Sequence, residues 1–177
     1  LLRGQTEAFK SVKVKAETYG SVISQPIRKG TFVKNGELLC ELEVGTKSDV
    51  LSEAKEALAL SNDELQASIT PYQLRIQAAE RQKSLLKRGV GTEAAVEAAQ
   101  LSASSAETQS LSKRQAVANV EARINRATTE LNNTKIIAPF DGLLETDTAE
   151  YGDFMQTGAL CGLSLIHISE PTRHLRI

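Results

Sequence analysis

Two periodicities divide this chain. Val12 and Val14 alternate with Lys13 and Lys15, the period of two that marks a half-buried strand. Phe32-Val33 and Leu38 to Val44 read as two further strands, the latter with Leu38, Cys40, Leu42 and Val44 inward against Leu39, Glu41 and Glu43. From about Ser48 the period lengthens. Leu51, Leu58, Leu65, Tyr72, Ala79 and Leu86 recur every seven residues, one row of a helix-packing seam. Its second row is weaker: Ala54, Ser61, Ser68, Arg75 and Gln82. Ser48 suits an N-cap, with Asp49 and Glu53 near the positive end of the helix dipole. Pro71 removes one backbone hydrogen bond, which predicts a bend or two shorter segments.

Arg88-Gly89-Val90-Gly91-Thr92-Glu93 breaks the helical pattern. Gly89 suits the residue just past a helix end, and Thr92 suits a cap for the next. A second helix is expected from about Glu93 to Asn132. Its seam pairs Val96, Ala103, Ser110, Val117, Ile124 and Leu131 with Ala99, Ala106, Lys113, Val120 and Ala127. Helices of about 40 residues reach roughly 60 Å each at 1.5 Å per residue. Equal lengths and a short connection predict an antiparallel hairpin. Its Ala-rich seam buries little, so its outer faces are expected to meet partners.

The flanks of this hairpin repeat each other. Gly20, Gly30 and Gly36 are followed by Leu38; Gly142, Gly152 and Gly158 are followed by Leu160, one shift of 122 residues away. All six are expected to be structural turn glycines, with Gly30 and Gly36 needing positive φ. Asp141-Gly142 is a tight-turn dipeptide, so the Asp141 carboxylate is read as a turn residue rather than a catalytic one. Two β half-motifs folding together around a helical arm account for this layout. The expected boundaries are 6–47 for the first half, 48–133 for the hairpin with its tip near 88–92, and 134–162 for the second half.

Composition narrows the function. Aromatic residues make up 4% and Trp is absent, which suits an elongated helical element better than an enzyme core. A net charge of −1 without a basic stripe argues against nucleic acid as a partner. No apolar run approaches the ~20 residues of a membrane span. No His, Met or Cys cluster supports a metal, no cofactor is implied, and no group of residues supports catalysis. Cys40 and Cys161 are read as buried free thiols, with a disulfide between the halves as the alternative in an oxidising compartment. The chain opens on Leu1-Leu2-Arg3-Gly4, and is therefore expected to be a fragment whose anchor lies upstream. Leu163 to Arg173 back-translates to a sequence resembling the transposase adapter used to fragment DNA for sequencing. Residues 163–177 are therefore expected to be a translated sequencing adapter rather than native sequence.

Thr134-Lys135-Ile136-Ile137-Ala138-Pro139-Phe140-Asp141-Gly142 resembles the phrase with which periplasmic adaptors (membrane fusion proteins) of tripartite efflux pumps return from their helical hairpin. Gly30, Val33, Gly36 and Leu39 resemble a second phrase of that family in the first half. The resemblance spans about residues 4–162. It implies an α+β fold: a barrel-sandwich hybrid, the lipoyl-like domain, interrupted by a long α-helical hairpin. It implies a non-catalytic subunit of the resistance-nodulation-division type, in a periplasm, anchored to the inner membrane. Its partners would be an inner-membrane transporter, an outer-membrane channel and further copies of itself in a ring. Channel-docking adaptors carry an Arg, a Leu and a Ser at the hairpin tip. Arg81, Leu85 and Thr92 fill that spacing, with Thr in place of Ser. On this resemblance they are the partner-binding residues; on spacing alone they are equally a solvated charge, a seam residue and a cap.

Two alternatives remain. An adaptor of an ABC-type (type I) secretion or efflux system has the same hybrid domain with a longer hairpin. A lipoyl or biotinyl carrier domain would present a modified lysine near Lys47, but Lys47 lies between Thr46 and Ser48 and lacks a carrier's surroundings.

Overall fold

In a computed structural model, residues 11–166 are described. Chain contacts divide the molecule into a β unit, built from residues up to Ser48 and from Thr129 onward, and a helical unit, Asp49–Thr128.

The β unit contains β1 (Ser11–Lys15), β2 (Gly20–Ser21), β3 (Phe32–Val33), β4 (Leu38–Glu41), β5 (Lys135–Ile137), β6 (Gly142–Leu144), β7 (Phe154–Met155) and β8 (Leu160–Ile166). One sheet has the order β1-β8-β6-β3, and β2-β7 and β4-β5 form two-stranded sheets. Every pairing except β6-β8 joins a strand before the helices to one after them. Neither half has a sheet worth the name without the other.

The 122-residue repeat governs the hydrogen bonding as well as the sequence. Gly36 N–H donates to Ala138 O at 2.8 Å, and Gly158 N–H to Ala16 O at 2.7 Å. Gly30 N–H donates to Leu144 O and Gly152 N–H to Val22 O, both at 2.8 Å. Each bond maps onto its mate when the two halves are exchanged, so the unit has a pseudo-twofold axis. The core obeys the same rule: Ala16 with Ala138, Val22 with Leu144 and Val33 with Met155 are buried pairs. Gly30, Gly36, Gly152 and Gly158 have φ between 82° and 91°, where a side chain is strained. Gly20 and Gly142 instead open strands β2 and β6. At Gly20 the reason for glycine is proximity, since a Cβ there would lie 3.1 Å from Glu43 O. Asp141 is a turn residue that reaches across, its Oδ1 accepting from Asn35 N–H at 2.7 Å.

Two expectations need correction here. Cys40 and Cys161 are not free thiols; they form a disulfide between β4 and β8, with Cα atoms 6.3 Å apart and both residues buried. The core of this unit is small, and a cross-link that closes a long loop is one remedy for that. Second, Leu38 is exposed and Leu39 buried, the reverse of strict alternation. A register shift between Leu38 and Cys40 inserts an extra residue into β4, so Leu39, Cys40 and Leu42 all reach the core. β8 runs on to Ile166 and pairs Leu165 with Val12 and Leu144. Residues 163–166 therefore lie in the sheet, while His167 to Ile177 lie outside the described residues.

The connection from β1 to β2 engages the ends of both helices. Thr18 Oγ1 donates to Glu130 Oε2 at 2.9 Å, near the end of α2. Lys47 Nζ, at the start of α1, donates to Tyr19 O at 3.0 Å and stands 4.5 Å from the centroid of the Tyr19 ring.

In the helical unit, α1 (Lys47–Lys87) and α2 (Glu93–Asn132) form the expected hairpin. α1 continues through Pro71 as one helix rather than two segments. Pro71 is exposed, so water can satisfy the carbonyl it leaves without a donor. Both seam rows turn inward except at Arg75, which is exposed. Only small residues are fully buried: Ala54 on α1, and Ala106, Ser110 and Ala127 on α2. The leucines and valines of the seam stay half-buried, because two helices enclose them on one side only. Polar ties cross the seam. Lys113 Nζ lies 2.7 Å from Glu64 Oε2, and the Arg75 guanidinium reaches the Ser102 carbonyl at 3.5 Å.

Candidate functional site: the hairpin tip

The turn between the helices is built by backbone geometry. Gly89 N–H donates to Leu86 O at 2.9 Å and Val90 N–H to Leu85 O at 3.1 Å. This pair of bonds is a Schellman closure, and Gly89 supplies its left-handed residue with φ +77°. Gly91 is required for a different reason. A Cβ at Gly91 would lie 2.9 Å from Leu86 N and 3.2 Å from Leu85 C, so the chain passes directly over the end of α1. Thr92 then caps α2: its Oγ1 accepts from Ala95 N–H at 3.2 Å.

Arg81 and Leu85 stand one turn apart on α1, Arg81 exposed and Leu85 half-buried, and Thr92 is exposed at the start of α2. Among the described residues no hydrogen bond joins these three side chains to one another. Leu85 contributes its carbonyl to the turn, and the Thr92 oxygen is occupied as an acceptor by the cap, leaving its O–H to donate outward. Residues 81–92 also hold Lys83, Lys87 and Arg88 and not one carboxylate. The end of α1 is therefore cationic, with Glu80 and Glu93 flanking it. Three of these four cations lie in the last two turns of α1, the end where the helix dipole favours positive charge.

One tip residue escaped the sequence reading. Val90 is 77% exposed, more than any other large apolar side chain among the described residues. Its signal was present: an apolar residue between two glycines, claimed by neither seam.

Comparison with known proteins places this geometry. No family model matches the chain. Over 156 residues, 88% of the chain, it is 28% identical to the efflux pump periplasmic linker BepD of Brucella suis biovar 1 (strain 1330). Its fold matches the crystal structure of MacA from Actinobacillus actinomycetemcomitans with a TM-score of 0.78, over 90% of the chain and at 24% identity. The chain resembles the periplasmic adaptors in sequence and has their fold. A MacA-MexA chimera carrying the Pseudomonas aeruginosa MexA α-hairpin domain matches at a TM-score of 0.64 over 92% of the chain, at 20% identity. The chain spans 36% of the linker's length, 50% of the MacA chain and 48% of the chimera. In adaptor terms, the split β unit is the lipoyl-like element and the two helices are the hairpin. Lys47, the residue a carrier domain would modify, is engaged with Tyr19 instead.

Proposed function

We propose that this chain is the lipoyl-like and hairpin portion of a periplasmic efflux adaptor. In this reading it bridges an inner-membrane transporter of the resistance-nodulation-division type to an outer-membrane channel and catalyses nothing. The adaptor is anchored to the inner membrane and closes into a ring with further copies of itself. Arg81, Leu85 and Thr92 dock on the channel. Arg81 donates to carbonyls or carboxylates, Leu85 fills an apolar notch and the Thr92 hydroxyl donates.

The observation that carries this reading is the long hairpin inserted between two β halves whose strands pair mainly across to each other, ending in an exposed tip closed by backbone hydrogen bonds. The Cys40–Cys161 disulfide supports an oxidising compartment such as the periplasm. Among the described residues no helix is long and apolar enough to cross a membrane, so anchoring would fall to another segment.

Single cysteines at Arg81, Leu85 and Thr92, in the full-length protein with its native disulfide intact, test the reading. Each is paired with cysteines at the periplasmic end of the outer-membrane channel from the same cells. Cross-links at the tip and none at Leu60 on the hairpin shaft are the expected result. Failure at all three positions in a folded, expressed protein would reduce them to packing and capping residues. An adaptor of an ABC-type system would then be the leading reading.

A further inference from the structure

Twofold mates line one cleft of the β unit. Val14 and Ile136 stand one repeat apart in sequence, as do Lys15 and Ile137, and all four border the same opening. The pseudo-twofold axis therefore passes through it. β1 is the edge of its sheet and β5 pairs only with β4, so no ladder closes the gap between these two strands. The cleft left there has a volume of about 310 Å³. Its floor is apolar: Ile136 is 6% exposed, and Val14 is half-buried against the core. Ile137, 51% exposed, extends that apolar surface outward.

The rim is polar and unengaged. Lys15 and Lys135 stand on it from opposite strands, beside Asn132 and Asn133 where α2 ends. Among the described residues no hydrogen bond or ion pair occupies these four side chains. Cations near the end of a helix answer its dipole, which accounts for charge there but not for free amides over an apolar floor. Glu17 also borders the cleft. Its carboxylate and the negative end of α2 offset part of the two positive charges, so the rim suits one negative charge rather than a polyanion.

We infer that this cleft binds a small amphiphilic anion. Its carboxylate or sulfonate accepts from the Lys15 and Lys135 ammonium groups and from the Asn132 and Asn133 amides. Its hydrocarbon part covers Val14, Ile136 and Ile137. The volume lies at the lower end for small-molecule pockets and is too small for a helix or a folded partner. The inference is independent of the docking reading, since it concerns the β unit and would stand if the hairpin tip touched nothing.

Decanoate is the probe, with decyltrimethylammonium as a control of the same tail and opposite charge. Each is added to the full-length adaptor and followed by methyl and backbone NMR. Decanoate is expected to shift the Val14, Ile136 and Ile137 signals, saturating on the order of 1 mM, and the cation to leave them in place. Lys15→Ala and Lys135→Ala are each expected to weaken decanoate about fivefold. Lys13→Ala, exposed on β1 but outside the cleft, should change nothing. Ile137→Glu adds a repelling charge at the cleft and should abolish the shifts while the melting temperature holds.

No decanoate shifts, shifts scattered over the surface, or shifts indifferent to the cleft variants would overturn the site. Equal shifts from the cation would overturn the choice of an anion. Shifts at the cleft from anionic phospholipid vesicles and none from decanoate would overturn the small ligand in favour of a membrane surface.

Discussion

Arg28 and Glu150 occupy the same position in the two copies of the 122-residue repeat, and they meet: Arg28 Nη1 lies 3.0 Å from Glu150 Oε1. Residues related by a pseudo-twofold axis touch only where the axis passes between them. Identical charges there would repel each other. Opposite charges let the two copies close on one another, and Asp147 joins the pair at 3.2 Å from the same nitrogen. Reversing Arg28 alone, as Arg28→Glu, is expected to lower the melting temperature of the β unit. The double exchange Arg28→Glu with Glu150→Arg should recover much of that loss. No recovery would show that the pair does not act across the axis.

Asp147 titrates below the usual carboxylate range. The main cause is the Lys29 backbone N–H it accepts at 2.7 Å, with Arg28 adding to the shift. A depressed folded value means that the contribution to stability is complete above the ordinary carboxylate pKa. It is lost as pH falls through the depressed value. Side-chain NMR titration of Arg28→Ala is expected to show the Asp147 value rising only part of the way back, because the backbone donor remains. A complete return would assign the shift to Arg28 instead.

The disulfide closes a loop that contains the whole hairpin, its ends 121 positions apart in sequence. Reduction, or Cys40→Ser, is expected to destabilise the β unit by about 2–4 kcal/mol, read as a lower denaturant midpoint. Protease cleavage confined to the hairpin should leave both fragments joined on a non-reducing gel and separate on a reducing one. Fragments that separate without reductant would refute the cross-link.

Ser110 is 2% exposed in the middle of the hairpin seam, and among the described residues its hydroxyl has no hydrogen-bond partner. A buried, unpaired hydroxyl is unfavourable, and alanine is the better helix former. Ser110→Ala is expected to stabilise the hairpin by about 1 kcal/mol, measured by chemical denaturation. A loss of stability would mean that the hydroxyl is satisfied in solution.

Gly91→Ala places a methyl group against the backbone of Leu85 and Leu86. The end of α1 must shift to admit it, at about 1–3 kcal/mol. Hydrogen exchange should accelerate at the Gly89 and Val90 amides, whose bonds close the turn, while the middle of each helix stays protected. Unchanged exchange at these two amides would show that the turn has room.

The chain by itself determined its two periods, its repeat and its turn chemistry. Seven-residue spacing from Leu51 to Leu86 and from Val96 to Leu131 is a local property, so both helices were legible nearly to the residue. The glycine spacing likewise revealed two β halves, because left-handed turns admit few other residues. What depended on distant parts of the chain was not legible. The bulge that sends Leu39 inward exists only because β4 pairs with β5, nearly a hundred residues later. Cys40 and Cys161 look alone in sequence, and they meet because the two halves fold face to face. The exposure of Val90 is likewise a tertiary fact. Gly89 and Gly91 announce a turn, but only its three-dimensional path decides whether the valine between them packs inward or faces solvent.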